Sequence, residues 1–184
     1  MTPLYFFVDV DIKRVPLANR WASEQWLPSA VVSLGEVKNE AKSEVQSGEE
    51  LKAAPSPQRI SDDALATTWR FSGFAIELHT TEAQGYFLNI SSDVPKVFVM
   101  WRLVEEPQHD RCAARPVIVT VSYDQAARFM DGGERVDAVP MPAAILAWMR
   151  PFVAEHYRPE PRKKVRRNDP FAKDALGRDR PSRA

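Results

Sequence analysis

His109-Asp110-Arg111-Cys112 is the densest group of reactive side chains in the sequence. Arg111 and a protonated His109 beside the thiol would favour the thiolate, the form that attacks electrophiles and binds metals. The same residues lie between Pro107 and Ala113-Ala114, where a polar turn would join two apolar runs. A nucleophile on such a turn lacks the oriented base that covalent catalysis requires, so the turn is the better reading. His79, His109 and His156 are far apart and show no ligand spacing. The sequence has no phosphate-binding glycine loop, no dinucleotide fingerprint, no paired Cys-x-x-Cys and no His-Glu-x-x-His. Its one glycine pair, Gly132-Gly133, closes a helix, whereas phosphate sites open one. No acid, base and nucleophile converge, and the expectation is a protein that is not an enzyme and holds no cofactor or metal.

Binding chemistry is better represented. Of the five tryptophans, Trp69, Trp101 and Trp148 fall in periodic apolar segments and read as core. Trp21 sits instead in the polar stretch Ala18-Asn19-Arg20-Trp21-Ala22-Ser23-Glu24-Gln25, which makes it a contact candidate. A second candidate is the run Arg162, Lys163, Lys164, Arg166 and Arg167, which suits nucleic acid, anionic lipid or an acidic protein, or serves only to solvate a tail. Residues 158–184 hold ten Lys/Arg against four Asp/Glu, a net +6 that leaves −6 on residues 1–157. The molecule is polarised, although its net charge is zero.

The elements that must position these groups follow from periodicity. Leu4–Arg14 alternates, with Leu4, Phe6, Val8, Val10 and Ile12 on a core face and Asp9, Asp11 and Lys13 opposite. Trp26 to Leu34 predicts a second strand, and Pro28 puts it at a sheet edge. Residues 36–63 are poor in large apolar side chains and read as a mobile insertion. Trp69 to Leu78 alternates again, with a parity change at Ser72-Gly73 that predicts a bulge or turn. Tyr86, Leu88 and Ile90 read as another strand. Val97–Val104 is apolar on both faces and predicts a central strand, and Pro116–Ser122 one more. Ser122-Tyr123-Asp124-Gln125 has the form of a capping box, opening a helix that Gly132-Gly133 ends. Pro142 opens a second helix, which Pro151 interrupts and His156 ends.

Strands followed by helices predict an α+β fold: a largely antiparallel sheet of about six to seven strands with two C-terminal helices. Residues 1–157 form the single domain, and 158–184 a disordered basic tail. The 184 residues, 44% of them apolar, suit one domain of typical size. No window approaches the roughly 20 apolar residues of a membrane span. Cys112 is the only cysteine and cannot form an internal disulfide. The N-terminus lacks the basic start of a signal peptide, so the cytoplasm is the expected compartment.

Several stretches together carry a resemblance. They are Asn19-Arg20-Trp21 with Trp26-Leu27-Pro28, Glu77-Leu78-His79 with Glu82, and Tyr86-Phe87-Leu88-Asn89. Val97-Phe98-Val99 with Arg102, Val119-Thr120-Val121-Ser122-Tyr123, Val139-Pro140-Met141-Pro142 and Phe152-Val153-Ala154-Glu155-His156-Tyr157 complete the set. Over residues 4–167, apart from 36–63, the chain resembles a domain-of-unknown-function family of proteobacterial proteins. That family is often encoded beside molybdenum-dependent formate dehydrogenases and their maturation factors. The resemblance implies a place in formate dehydrogenase assembly or function, and the expectation is a non-enzymatic accessory or small binding subunit, with the dehydrogenase catalytic subunit or a maturation factor as partner. The alternative is a nucleic-acid- or anion-binding module that uses the basic tail.

Overall fold

Alternation along the first strand builds the larger of two sheets. The structure, a computed structural model, describes residues 4–36, 57–63, 65–104 and 112–159. Strands β1 (Leu4–Pro16), β2 (Glu24–Glu36), β3 (Gln58–Asp62) and β4 (Thr67–Leu78) form an antiparallel sheet in the order β2-β1-β4-β3. Strands β5 (Lys96–Leu103), β6 (Ala114–Thr120) and β7 (Arg135–Pro140) form a second antiparallel sheet, ordered β6-β5-β7. Helices α1 (Ala83–Ile90), α2 (Tyr123–Asp131) and α3 (Ala143–His156) complete a mixed α+β fold that is mostly strand. Among the described residues seven strands are present, but they divide into two sheets where the sequence suggested one.

The sheets share one core. Phe6, Val8, Val10 and Ile12 of β1 pack in the same cluster as Trp69, Phe71 and Ile76 of β4 and Val97, Val99 and Trp101 of β5. The helices close one end of it. Trp148 of α3 packs on Phe6 at the start of β1, and Tyr86 of α1 packs edge-on against Phe152 of α3. Helix α2 covers the outer face of the smaller sheet, Tyr123 lying on Phe98, so that β5 is buried on both faces as its composition predicts.

Several expectations need correction. Tyr86, Leu88 and Ile90 belong to α1 and not to a strand. Ala83, Tyr86 and Asn89, spaced three apart, are its buried side, while Leu88 is exposed. Strand β7 separates the two C-terminal helices, so the order is not strands first and helices last. Residues 58–62, inside the expected 36–63 insertion, pair with β4; residues 37–56 lie outside the described set. Asp9 and Asp11 are only 8% and 6% exposed, not on a solvated face. Arg70 makes the burial of Asp11 tolerable, forking onto both its oxygens at 2.8 Å. Oδ1 of Asp9 is buried and has no hydrogen-bond partner among the described residues.

Other expectations stand. Strand β2 is an edge that carries Pro28. The bulge lies at Ser72-Gly73, where Val8 pairs with Phe74 and Val10 with Phe71, and Gly73 takes a φ of 89°. Ser122 Oγ accepts from the Gln125 N–H at 3.1 Å. The Gln125 side chain completes no capping box, however, and accepts from the Thr120 hydroxyl instead. Gly133, at φ 82°, follows the end of α2. Two points differ for α3: Pro142 is its N-cap and not a first-turn residue, and Pro151, expected to interrupt the helix, lies inside it.

Candidate functional site

Among the described residues the end of the core opposite the helices is open. Strand β1 finishes there, β2 and β4 begin there, and β5 runs out towards it. Pairing fixes this arrangement: Arg14 lies opposite both Trp26 and Thr67, and Pro16 opposite Glu24.

Two turns at this end project large apolar side chains into solvent. In the β1–β2 hairpin, the Leu17 N–H bonds to the Ser23 carbonyl at 2.9 Å. Beyond that closure, Oδ1 of Asn19 accepts the backbone N–H groups of Trp21 and Ala22 at 2.8 and 2.7 Å. This Asx turn fixes the backbone that carries Trp21, which is 85% exposed. Arg20 lies over the indole, its guanidinium carbon 5.0 Å from the ring centroid. In the β3–β4 connection, Oδ1 of Asp63 accepts from the N–H groups of Leu65 and Ala66, both at 2.8 Å. Those bonds, first Ala66 and then Leu65, hold the Asp63 carboxyl below the usual carboxylate range. Leu65 is 81% exposed.

Between the sheets at the same end lies a cleft of ≈ 360 Å³, its walls formed by Glu24, Gln25, Trp26 and Leu27 on one side and Trp101, Leu103, Arg135 and Asp137 on the other. That volume is near the lower end of ligand and side-chain pockets, roughly 300–1,000 Å³. Each wall repeats one arrangement. The Trp26 indole N–H donates to Glu24 Oε1 at 2.8 Å, and that of Trp101 to Asp137 Oδ2 at 2.6 Å. Arg14 lies 6.0 Å from the centroid of Trp26, and Arg135 lies 5.3 Å from that of Trp101. Trp26 also packs on Trp69 at 5.1 Å. The cleft therefore offers indoles, two carboxylates already holding N–H donors, and guanidinium groups at its rim.

The family whose description is "Protein of unknown function (DUF3305)" matches residues 7–166. The chain belongs to the DUF3305 family. No curated protein and no solved structure gives a significant match. The DUF3305 match takes in the hairpin tip, both cleft walls and Arg162, Lys163, Lys164 and Arg166 of the basic run, and stops short of Arg167.

Of the residues singled out in the sequence, Trp21 is on the surface and at the open end. Arg162, Lys163, Lys164, Arg166 and Arg167 lie outside the described residues, as do His109, Asp110 and Arg111. Cys112 is not on a polar turn: it is 1% exposed within the core, and its Sγ lies 3.3 Å from the Ala114 carbonyl oxygen. His79 is exposed at the end of β4, 3.5 Å from Glu77, and His156 closes α3. Among the described residues no group of three or more His, Cys, Asp or Glu is placed to hold a metal, and no helix is long and apolar enough to cross a membrane.

The cleft was not visible as a unit in the sequence, because its walls come from β2, β5 and β7. One signal was available. Glu24 shares its strand face with Trp26, and Arg135 and Asp137 share theirs with the buried Val139. Charges at core parity mark the place where a core opens to water.

Proposed function

We propose that this chain is a non-enzymatic accessory protein that holds a protein partner at its open end. The partner, as the resemblance implies, is the catalytic subunit of a molybdenum-dependent formate dehydrogenase or one of its maturation factors. The observation that carries this reading is Trp21, a large side chain left in water on a backbone that Asn19 braces. An exposed tryptophan on a mobile turn would lose entropy on binding; on a braced turn most of that loss is already met. Tryptophan and arginine are the side chains that most often dominate binding energy, and here they stack at the tip and again at the cleft. Burial of the thiol of Cys112 favours the same reading over covalent chemistry.

The test is co-purification of the tagged full chain with the dehydrogenase and its maturation factors, comparing the native sequence with Trp21→Ala. Truncation of a dominant contact costs at least about 2 kcal/mol, or roughly thirtyfold in affinity. Recovery of the partner with the native chain and its loss with Trp21→Ala is the expected result. Equal recovery with both would remove the open end from the reading.

A further inference from the structure

We propose that the open end selects an extended, acidic segment of its protein partner, with alternate side chains apolar; this rests on the reading of that end as the contact surface. Among the described residues neither Arg20 nor Arg135 lies within 4 Å of a carboxylate, although Arg70, Arg102 and Arg128 all do. Each of the two is instead held over a tryptophan, Arg20 on Trp21 and Arg135 on Trp101. A guanidinium stacked on an indole keeps its planar fork of donors available at the edge, which is the geometry that takes a carboxylate.

The carboxylates already present do not fill that role. Glu24 and Asp137 turn to the indole N–H groups of Trp26 and Trp101, and the second oxygen of Glu24 lies 3.9 Å from Arg14. Among the described residues Arg20 and Arg135 are left without such an acceptor. Glu24 lines the cleft and is three residues from Trp21, at most about 10 Å of extended chain. One short segment can therefore reach both the tip and the cleft.

The remaining surface sets the rest of the specificity. Trp26, Leu27, Trp101 and Leu103 give the cleft its apolar walls, so the occupant must supply apolar side chains between its acidic ones. Glu24 to Leu27 line the cleft as consecutive residues of β2, which among the described residues is hydrogen-bonded only to β1. An extended segment laid along that strand follows it from the tip to the cleft. A nucleic acid fits less well. Its affinity rises with the number of phosphates neutralised, and two cations give little.

The probe is a short fluorescein-labelled peptide of alternating glutamate and leucine, titrated against the full chain and followed by fluorescence anisotropy. Comparison peptides replace glutamate by glutamine or by lysine, and a single-stranded oligonucleotide of similar length completes the set. The glutamate peptide is expected to bind best, and Arg135→Gln and Arg20→Gln should each weaken it by roughly tenfold. Arg20 stands on an exposed turn, so its variant reports on binding even if Arg135→Gln disturbs the packing of Trp101. Unchanged affinity in both variants would assign the attraction to the basic tail and overturn the proposal. Equal binding of the glutamate and glutamine peptides, or tighter binding of the oligonucleotide, would overturn it as well. Loss of the native partner in Trp21→Ala, together with indifference to peptide charge, would sink this proposal and leave the contact surface standing.

Discussion

Replacing Asn89 by leucine should remove the tie between α1 and the smaller sheet. Asn89 is fully buried, and its side chain makes three bonds that join α1 to the start of β5 and to the residue after β6. Nδ2 donates to the carbonyls of Lys96 and Val121, both at 2.7 Å, and Oδ1 accepts from the Lys96 N–H at 2.8 Å. Leucine fills a similar volume and offers no polar atom, so one backbone N–H and two carbonyls lose this partner in a region with little water. A net bond is worth about 1 kcal/mol, and an orphaned buried group costs about 1–3 kcal/mol. Three groups together give roughly 3–5 kcal/mol, which is a large share of the 5–15 kcal/mol typical of a domain. At about 2–4 °C per kcal/mol for a chain of this size, the melting temperature should fall by roughly 6–20 °C. Urea unfolding followed by far-ultraviolet circular dichroism gives the free energy, and an unchanged m-value would show that the unfolded state is not responsible. Ser92→Ala is the control, since Ser92 only donates to the Asn89 carbonyl from a partly exposed site and should change stability by no more than about 0.5 kcal/mol. A loss below about 1 kcal/mol in Asn89→Leu would show that these three bonds do not hold α1 to the sheet, and the reasoning would fail.

Gly85→Ala should destabilise by about 1–3 kcal/mol, because a Cβ there would stand 2.5 Å from Ser122 Oγ, which is fixed by its bonds to Glu82 and Gln125; thermal unfolding reads the loss. Burial pushes the Tyr86 hydroxyl up to about 12, so the fold favours its neutral form. That contribution is complete below the ordinary value near 10 and is lost as pH rises towards 12; the native chain should therefore lose stability more steeply than Tyr86→Phe across that range, and equal slopes would contradict the assignment. Cys112, buried in the core, should react with a thiol reagent only at the rate of unfolding, and rapid labelling of the native chain would show the site to be open.

Much of the larger sheet was legible because β1 and β4 carry their apolar side chains on one face each, and a period of two then leaves a clear mark. Pro28 announced the edge and Ser72-Gly73 the bulge, since each breaks a rule of the ladder that only such a place permits. Helix α1 was misread because eight residues with Tyr86, Leu88 and Ile90 satisfy a strand period as well as a helical one. Its polar buried position, Asn89, and its close contact at Gly85 are tertiary facts with no local mark. Strand β7 was missed for a related reason: only Val139 of its six residues is buried, so it shows almost no hydrophobic pattern. Burial of Asp11 depended on Arg70, 59 residues away, and sequence spacing does not reveal such a pair. At the candidate site the exposed Trp21 could be read from its polar surroundings. The cleft could not, because Trp26 and Trp101 count as core by local pattern and face each other only once two sheets have met.

A photo-crosslinking amino acid placed at position 21 in the full chain, in cells that express the dehydrogenase and its maturation factors, tests the contact surface most directly. A second copy placed at position 130 samples exposed surface on α2, which covers the far face of the smaller sheet. The account requires a crosslink from position 21 to the dehydrogenase or a maturation factor, and none from position 130. Crosslinks from position 130 with none from position 21 would contradict it.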